Sequence, residues 1–356
     1  MKKLLPFAAL ALLTQFSAAP AVLAQASAAQ AAGKVKASPL APSELVAAAP
    51  AKDWTRIAPA DLLVMDLALD AKGRPRRVVI QLMPPPFSAG WIGNIHKLAA
   101  AHWWDGMSIN RVQDNYVVQW GDPNADDKVK AKALPAGLST MAESGYYLPF
   151  MQLGNSETGE VSRTQAKIQV AQIKAEDLEQ DLVGTGIVGK IGGPASDNYA
   201  KYNGFERGWP VASDLNLVWP VHCYGMVGVG RDLSPNTGSG AELYVVIGHA
   251  PRHLDRNIAL VGRVIEGIEF LSSLPRGHGG LGFYDLDQGD ERVTITAIRP
   301  GTEVKDLPAY EYLSTDSASF ASYADARANR RDPFFIRPAG GADICNIPVP
   351  VRRVKV

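Results

Sequence analysis

From Trp54 to Ile298 the apolar residues come in short blocks or alternate with polar ones, and few stretches keep a helical period. Leu62 to Leu69 and Arg76 to Met83 are strand-length runs separated by the turn sequence Asp70-Ala71-Lys72-Gly73, which predicts a hairpin. Pro84-Pro85-Pro86 ends it, because proline has no N–H for a sheet ladder. Asn94 to His102 sets Ile95, Leu98 and Ala99 on one helical face, and Glu266 to Leu274 fits a second helix. Further strands are predicted at Ser108 to Val112, Tyr116 to Gln119, Met226 to Val229, Leu243 to Ile247, Ile258 to Val264 and Val293 to Ile298.

Many strands, two helices in the body and no βαβ alternation predict a mainly β fold, an antiparallel barrel or sandwich. Two regions break the rhythm. Residues 123–224 form a long insertion whose middle, Arg163 to Leu182, reads as helical and acidic, and residues 305–356 form a tail with a helix candidate at Ser317 to Asn329. Long insertions serve as lids or contact surfaces more often than as plain loops.

Composition narrows the partners. The 36 basic residues balance 36 acidic ones, which removes the charge argument for nucleic acid or an anionic membrane surface. The first 24 residues read as a secretory signal: Lys2 and Lys3, an apolar core from Leu4 to Phe16, and small residues up to a cleavage point after Ala24. That apolar run is shorter than the roughly 20 residues of a spanning helix, so no stable membrane insertion is expected after cleavage. Residues 25–52, rich in Ala, Pro and Ser, read as a flexible linker, and structure is expected from residue 53. Export, periplasmic or secreted, puts Cys223 and Cys345 where they can pair; two buried thiols are the other reading, and spacing alone decides nothing.

Most motif matches fail on context. Gly184-Thr-Gly-Ile-Val-Gly-Lys190 fits two phosphate-loop patterns, yet Ile191 stands where a metal-binding hydroxyl belongs and Gly192-Gly193-Pro194 blocks the helix that should follow. His249 and His253 have zinc-ligand spacing for a helix, but Pro251 lies between them. No serine sits in a nucleophile elbow, and Asp126 and Asp127 read as a solvated surface pair. No cofactor is called for.

One stretch survives. Trp104-Asp-Gly-Met-Ser-Ile-Asn-Arg-Val-Gln-Asp-Asn-Tyr-Val-Val-Gln-Trp-Gly-Asp122 places an arginine inside a strand-like run, where a cation is costly without a task. It resembles the signature strand pair of the cyclophilins, the peptidyl-prolyl cis-trans isomerases, in which an aromatic-x-Gly-x-x-Phe-His-Arg run leads to Phe-x-x-Gln-Gly-Gly-Asp. Arg111, Gln119, Gly121 and Asp122 match, and Tyr116 takes the aromatic position. The resemblance continues in order through Val79 to Leu82, Gly225 to Arg231, Gly238 to Val245, Leu254-Asp255 and Val261 to Gly267, and so spans about Leu62 to Val304 around the insertion.

The resemblance implies a closed antiparallel eight-stranded barrel with two capping helices, and peptidyl-prolyl isomerase activity on proline-containing polypeptides. It implies Arg111 as the catalytic cation, Gln119 as a substrate-backbone partner, and a groove from Tyr116, Val117, Glu242, Leu243, Tyr244, His253 and Leu254. Departures are Ile109 and Asn110 for Phe-His, Val117 for a frequent methionine, Glu242-Leu243 for Gln-Phe, His253 for an aromatic and Ile258 for a groove histidine. These changes spare the fold and bear on substrate affinity and rate. The expected function is therefore folding assistance to exported proteins; the alternative is a catalytically weak cyclophilin-fold binding module or chaperone. Glu242 is expected near Arg111, where it would orient or quench it. Oligomeric state is not legible.

Overall fold

Period-two burial builds the sheet. In the computed structural model, β2 (Leu62–Leu67) and β3 (Arg76–Leu82) pair antiparallel as the predicted hairpin, with Leu63, Met65 and Leu67 turned into the same core as Val78, Ile80 and Leu82. The structure describes residues 38–125, 127–149, 199–214, 216–285 and 292–354. The predicted signal segment, the start of the linker, Asp126, the acidic helical stretch 163–182 and the glycine loop 184–190 lie outside these.

Six more strands complete one sheet: β4 (Ser108–Val112), β5 (Val117–Gly121), β10 (Met226–Val229), β11 (Leu243–Val246), β12 (Leu260–Glu266) and β13 (Ile295–Pro300). Their order is β13-β2-β3-β12-β10-β11-β5-β4. β4 returns to β13 through a bridge between Ser108 and Thr294 and a backbone bond of 2.9 Å from Ile109 N–H to Val293 O, which closes the barrel. Of the two readings left open by the strand pattern, barrel is right.

Of the two capping helices, one is full length. α2 (Ala89–Ala100) begins before the predicted Asn94, because Trp91 and Ile92 extend the buried face that holds Ile95, Leu98 and Ala99. α3 (Glu269–Ser272) is much shorter than predicted. β12 keeps Ile265 and Glu266 in the sheet, so the helix starts late, and Pro275 bars its extension.

The reading of residues 25–52 as linker is corrected at its end. α1 (Pro42–Ala48) is a helix, and Val46 and Ala49 pack with Trp54, Phe320 and Tyr323. β1 (Trp54–Ile57) pairs with β14 (Tyr310–Leu313), which pairs with β15 (Val351–Arg353), so both ends of the described chain share one three-stranded sheet. The tail helix, α4 (Ala318–Ala328), lies within the predicted bounds; the Ser317 hydroxyl accepts the Phe320 N–H as its N-cap. Glu266 on β12 anchors this sheet to the barrel, accepting from Tyr310 Oη at 3.1 Å and from Arg353 Nε at 2.7 Å.

The insertion also carries a sheet: β6 (Leu148–Pro149), β9 (Leu217–Pro220), β8 (Trp209–Ser213) and β7 (Tyr202–Glu206), in that order. Trp209, Val211, Val218 and Trp219 are buried in the main core, so this sheet is part of the body. A disulfide joins Cys223, at the insertion's end, to Cys345 in the tail, with Cα atoms 5.1 Å apart.

Candidate functional site

The signature stretch folds as the hairpin of β4 and β5, and an irregularity in its ladder decides where Arg111 points. Ile109 faces Trp120 and Arg111 faces Gln119, so Asn110 is an extra residue on β4. Such a bulge shifts the side-chain phase. Ile109 and Val112 therefore both enter the core, while Arg111 projects from the opposite face beside Gln119. Asn110 holds the bulge: its Oδ1 accepts from the Ser108 hydroxyl at 2.6 Å and its Nδ2 donates to Gly121 O at 3.1 Å. The turn that follows has Asn115 at φ 50°, a left-handed conformation asparagine tolerates, and this presents Tyr116.

Arg111 is half-buried and its donors are directed. Nε donates to Leu281 O at 2.7 Å, one terminal nitrogen to Gln119 Oε1 at 3.0 Å and the other to Gln113 Oε1. Its guanidinium carbon lies 5.6 Å from the Tyr116 ring centre and 5.4 Å from that of Phe283. The segment carrying Leu281 and Phe283 can approach because Gly282, at φ +82°, has no side chain; a Cβ there would lie 2.7 Å from Gln113 Cα. Burial pushes the Arg111 guanidinium below its ordinary pKa, with Tyr116 and Glu242 opposing.

Gln119 is read unambiguously by its neighbours. Arginine only donates and a carboxylate only accepts, so the Gln119 oxygen faces Arg111 and its NH2 donates to Glu242 Oε1. Glu242 thus reaches Arg111 through Gln119. Gln119, expected to bind a substrate backbone, is thus held on both sides by charged groups. On its other side Glu242 lines a cleft of about 580 Å³ with Asp122, Lys132, Arg231 and Thr237.

Next to Arg111 lies an apolar wall. Val117, Tyr244 and Val246 form a buried cluster, with Tyr116, Leu254 and Ile258 packed on it. His253 is exposed and its ring lies parallel to that of Tyr116, 6.3 Å away. The structure therefore brings together Arg111, Tyr116, Val117, Gln119, Glu242, Tyr244, His253 and Leu254. Leu243 is the exception: it pairs with Trp120 and belongs to the barrel core. Alternation on β11 explains this, since Tyr244 is the residue opposite Gln119.

Several participants were not anticipated. Gln113, two residues after Arg111 and just past the end of β4, was findable from the strand period. Leu281 and Phe283 come from a glycine-rich segment with no pattern of its own. Val246 follows Tyr244 by two and shares its face. Beneath Tyr244, His222 and Asp255 form a buried pair, with His222 Nε2 2.8 Å from the Tyr244 hydroxyl and Nδ1 2.9 Å from Asp255 Oδ1. Among the described residues no cluster of three or more His, Cys, Asp or Glu is placed to hold a metal ion.

The family model described as "Cyclophilin type peptidyl-prolyl cis-trans isomerase/CLD" matches residues 90–298, more than half of the chain. Among solved structures, the chain is similar to cyclophilin AquaCyp293 from Hirschia baltica, with 17% identity and a TM-score of 0.55 over 85% of this chain and 95% of that one. That likeness is one of fold. A cyclophilin type peptidyl-prolyl cis-trans isomerase from Cryptosporidium parvum is 12% identical, with a TM-score of 0.34 over 67% of this chain and 96% of that one. No protein with a curated description matches the chain.

Proposed function

Because the chain belongs to the cyclophilin-type peptidyl-prolyl cis-trans isomerase family, we propose that Arg111 is its catalytic cation and acts on the nitrogen of a twisting X-Pro bond. The observation that carries this is the pairing of a directed, half-buried guanidinium with an apolar wall on one face of the β5–β11 pair. Rotation about a peptide bond meets a barrier of about 18–20 kcal/mol because amide resonance must be broken. As resonance is lost, the proline nitrogen regains its lone pair, and a fixed cation aimed at it stabilises the twisted state more than the planar one. The pyrrolidine ring lies against Tyr116, Val117, Tyr244 and Leu254. Three oxygens and two aromatic faces fix the direction of the guanidinium, and its planar fork suits that better than a lysine would.

The test is an isomerisation assay on an Ala-Pro peptide. Arg111→Ala is expected to lower kcat/KM on the order of 10²-fold, the cost of losing one such charge-stabilising donor. Equal rates for the native protein and the variant would overturn the assignment, and no catalysis by either would overturn the isomerase reading. One observation favours a binding module: the Arg111 fork is already engaged and Glu242 stands one amide away. Peptide binding without rate enhancement is the outcome that reading requires.

The client we propose is an exported polypeptide during folding, where uncatalysed proline steps take roughly 10–100 s. The signal-like first 24 residues and a disulfide that suits an oxidising compartment support this. Mass spectrometry of the protein from an exported fraction is expected to find Gln25 as its first residue.

A further inference from the structure

The wall beside Arg111 is held from below by polar groups that an apolar wall does not need. Tyr244 is 4% exposed, His222 1%, Asp255 4% and Arg252 3%, so the polar groups behind the Tyr244 ring are buried. Asp255 Oδ1 accepts from His222 Nδ1 at 2.9 Å and from the His222 backbone N–H at 3.0 Å, while Oδ2 accepts from Arg252 Nε at 2.7 Å. A carboxylate only accepts, so Nδ1 carries a proton; in the neutral ring Nε2 is then the acceptor and the Tyr244 hydroxyl donates to it at 2.8 Å. The tautomer and ring plane of His222 are thus set by Asp255, and His222 in turn sets the hydroxyl of Tyr244.

The Tyr244 ring has one place to lie. It crosses β10 at Gly228, where a Cβ would fall 2.2 Å from the hydroxyl oxygen, and its plane lies 10° from that of His222. Phenylalanine would fill the same apolar cluster without asking for a buried partner. The hydroxyl therefore serves to hold the ring at one angle. We propose that His222 is a positioning residue for proline recognition: by anchoring Tyr244 it fixes the wall against which the pyrrolidine ring packs. This rests on the isomerase reading for its kinetic form. The wall contacts the substrate in the planar and twisted states alike, so His222 governs KM, while kcat stays with Arg111.

The experiment measures KM and kcat for Ala-Pro peptide isomerisation, the Kd of the same peptide by calorimetry and a thermal melt, for the full chain and its variants. His222→Ala is expected to raise KM and Kd about tenfold, the weight of one hydrogen bond, with kcat within about twofold. Tyr244→Phe raises KM on its own account, and adding His222→Ala to it brings no further rise, because the hydroxyl through which His222 acts is gone. His222→Gln, whose amide can bond the Tyr244 hydroxyl, recovers most of the affinity. If His222→Ala melts too low to assay, His222→Leu, which keeps the volume, takes its place in the same cycle. The proposal is overturned if folded His222→Ala or His222→Leu keeps the native KM and Kd, if kcat falls with KM unchanged, or if the effect is equally large in the Tyr244→Phe background. Should the native chain bind the peptide without isomerising it, the isomerase reading fails while the Kd cycle still decides the role of His222. Binding of neither kind overturns both.

Discussion

Arg263 on β12 and Arg111 on β4 are held by the same kinds of group. Arg263 donates to Gln81 Oε1 from Nε at 2.9 Å and from a terminal nitrogen at 2.7 Å, and to Gly208 O at 2.7 Å, between the rings of Trp209 and Tyr312. Arg111 has two glutamine oxygens, one backbone carbonyl and two aromatic rings. The difference is closure. Arg263 is 7% exposed, and burial pushes its pKa down to about 10, whereas Arg111 is only half-buried. A guanidinium with neutral partners remains a usable charge; sealed, it becomes a joint between the barrel, the insertion at Gly208 and the tail at Tyr312, and open, it can meet a substrate.

Substitutions sharpen that contrast. The largest effect is expected from Arg263→Ala, which leaves a cavity and strands the oxygens of Gln81 and Gly208: about 3 kcal/mol or more of stability lost, read as a lower melting temperature. Its kcat/KM per folded molecule should stay within about twofold of native, the reverse of Arg111→Ala, for which the melt should be native and the rate should not. If Arg263→Ala lowers kcat/KM without lowering the melt, the division between joint and catalyst is wrong.

Gly228→Ala comes next. The added Cβ collides with the Tyr244 hydroxyl, and overpacking of this kind costs about 1–3 kcal/mol. Melting and KM should shift together, since the ring must move. Glu242→Gln is milder. A glutamine oxygen can still accept from the Gln119 NH2, so orientation survives while the negative charge near Arg111 goes; kcat/KM should rise by about fivefold, from roughly 1 kcal/mol of Coulomb damping removed. A fall in rate would show that the carboxylate orients Arg111 more than it quenches it.

The smallest effect is that of acid. The Arg353 and Tyr310 side chains that bond Glu266 hold its carboxyl below its ordinary value of 4.5. Between the folded and unfolded pKa the unfolded chain binds more protons, so this contribution to stability is full above 4.5 and is lost as pH falls through that window. Thermal melts from pH 6 down to 3 should therefore decline below about 4.5, and Glu266→Gln should flatten part of that decline. Arg111 stays charged throughout, so catalysis by the folded fraction should not follow the same curve.

How much was legible depended on local pattern. Ser108–Val112 and Met226–Val229 were read with their observed bounds, because alternation or a short apolar run between turns marks a strand directly. The insertion's strands were missed because Pro210 and Pro220 and the glycines at 204 and 208 imitate a loop, although Trp209 and Trp219 are fully buried. At the site, Arg111, Tyr116 and Gln119 were legible from one continuous motif. Choosing between Leu243 and Tyr244 needed the pairing register, since a slip of one residue exchanges the two faces. The contact of His222 with Tyr244 and Asp255 had no local sign at all, being made across the end of the insertion.

The sheet of β1, β14 and β15 bears on the order in which the chain can fold. Trp54 finds its partner in Leu313, more than 250 residues later in the chain, so the first strand of the described structure has no ladder until the tail is made. Contacts of such long separation are slow to form, because a large loop must close first. The barrel's own hairpin of β2 and β3 needs no such wait. In a chain emerging from its N-terminus β2 and β3 can therefore pair while β1 and α1 still lack their partners, and it is the tail, through β14 and β15, that supplies them.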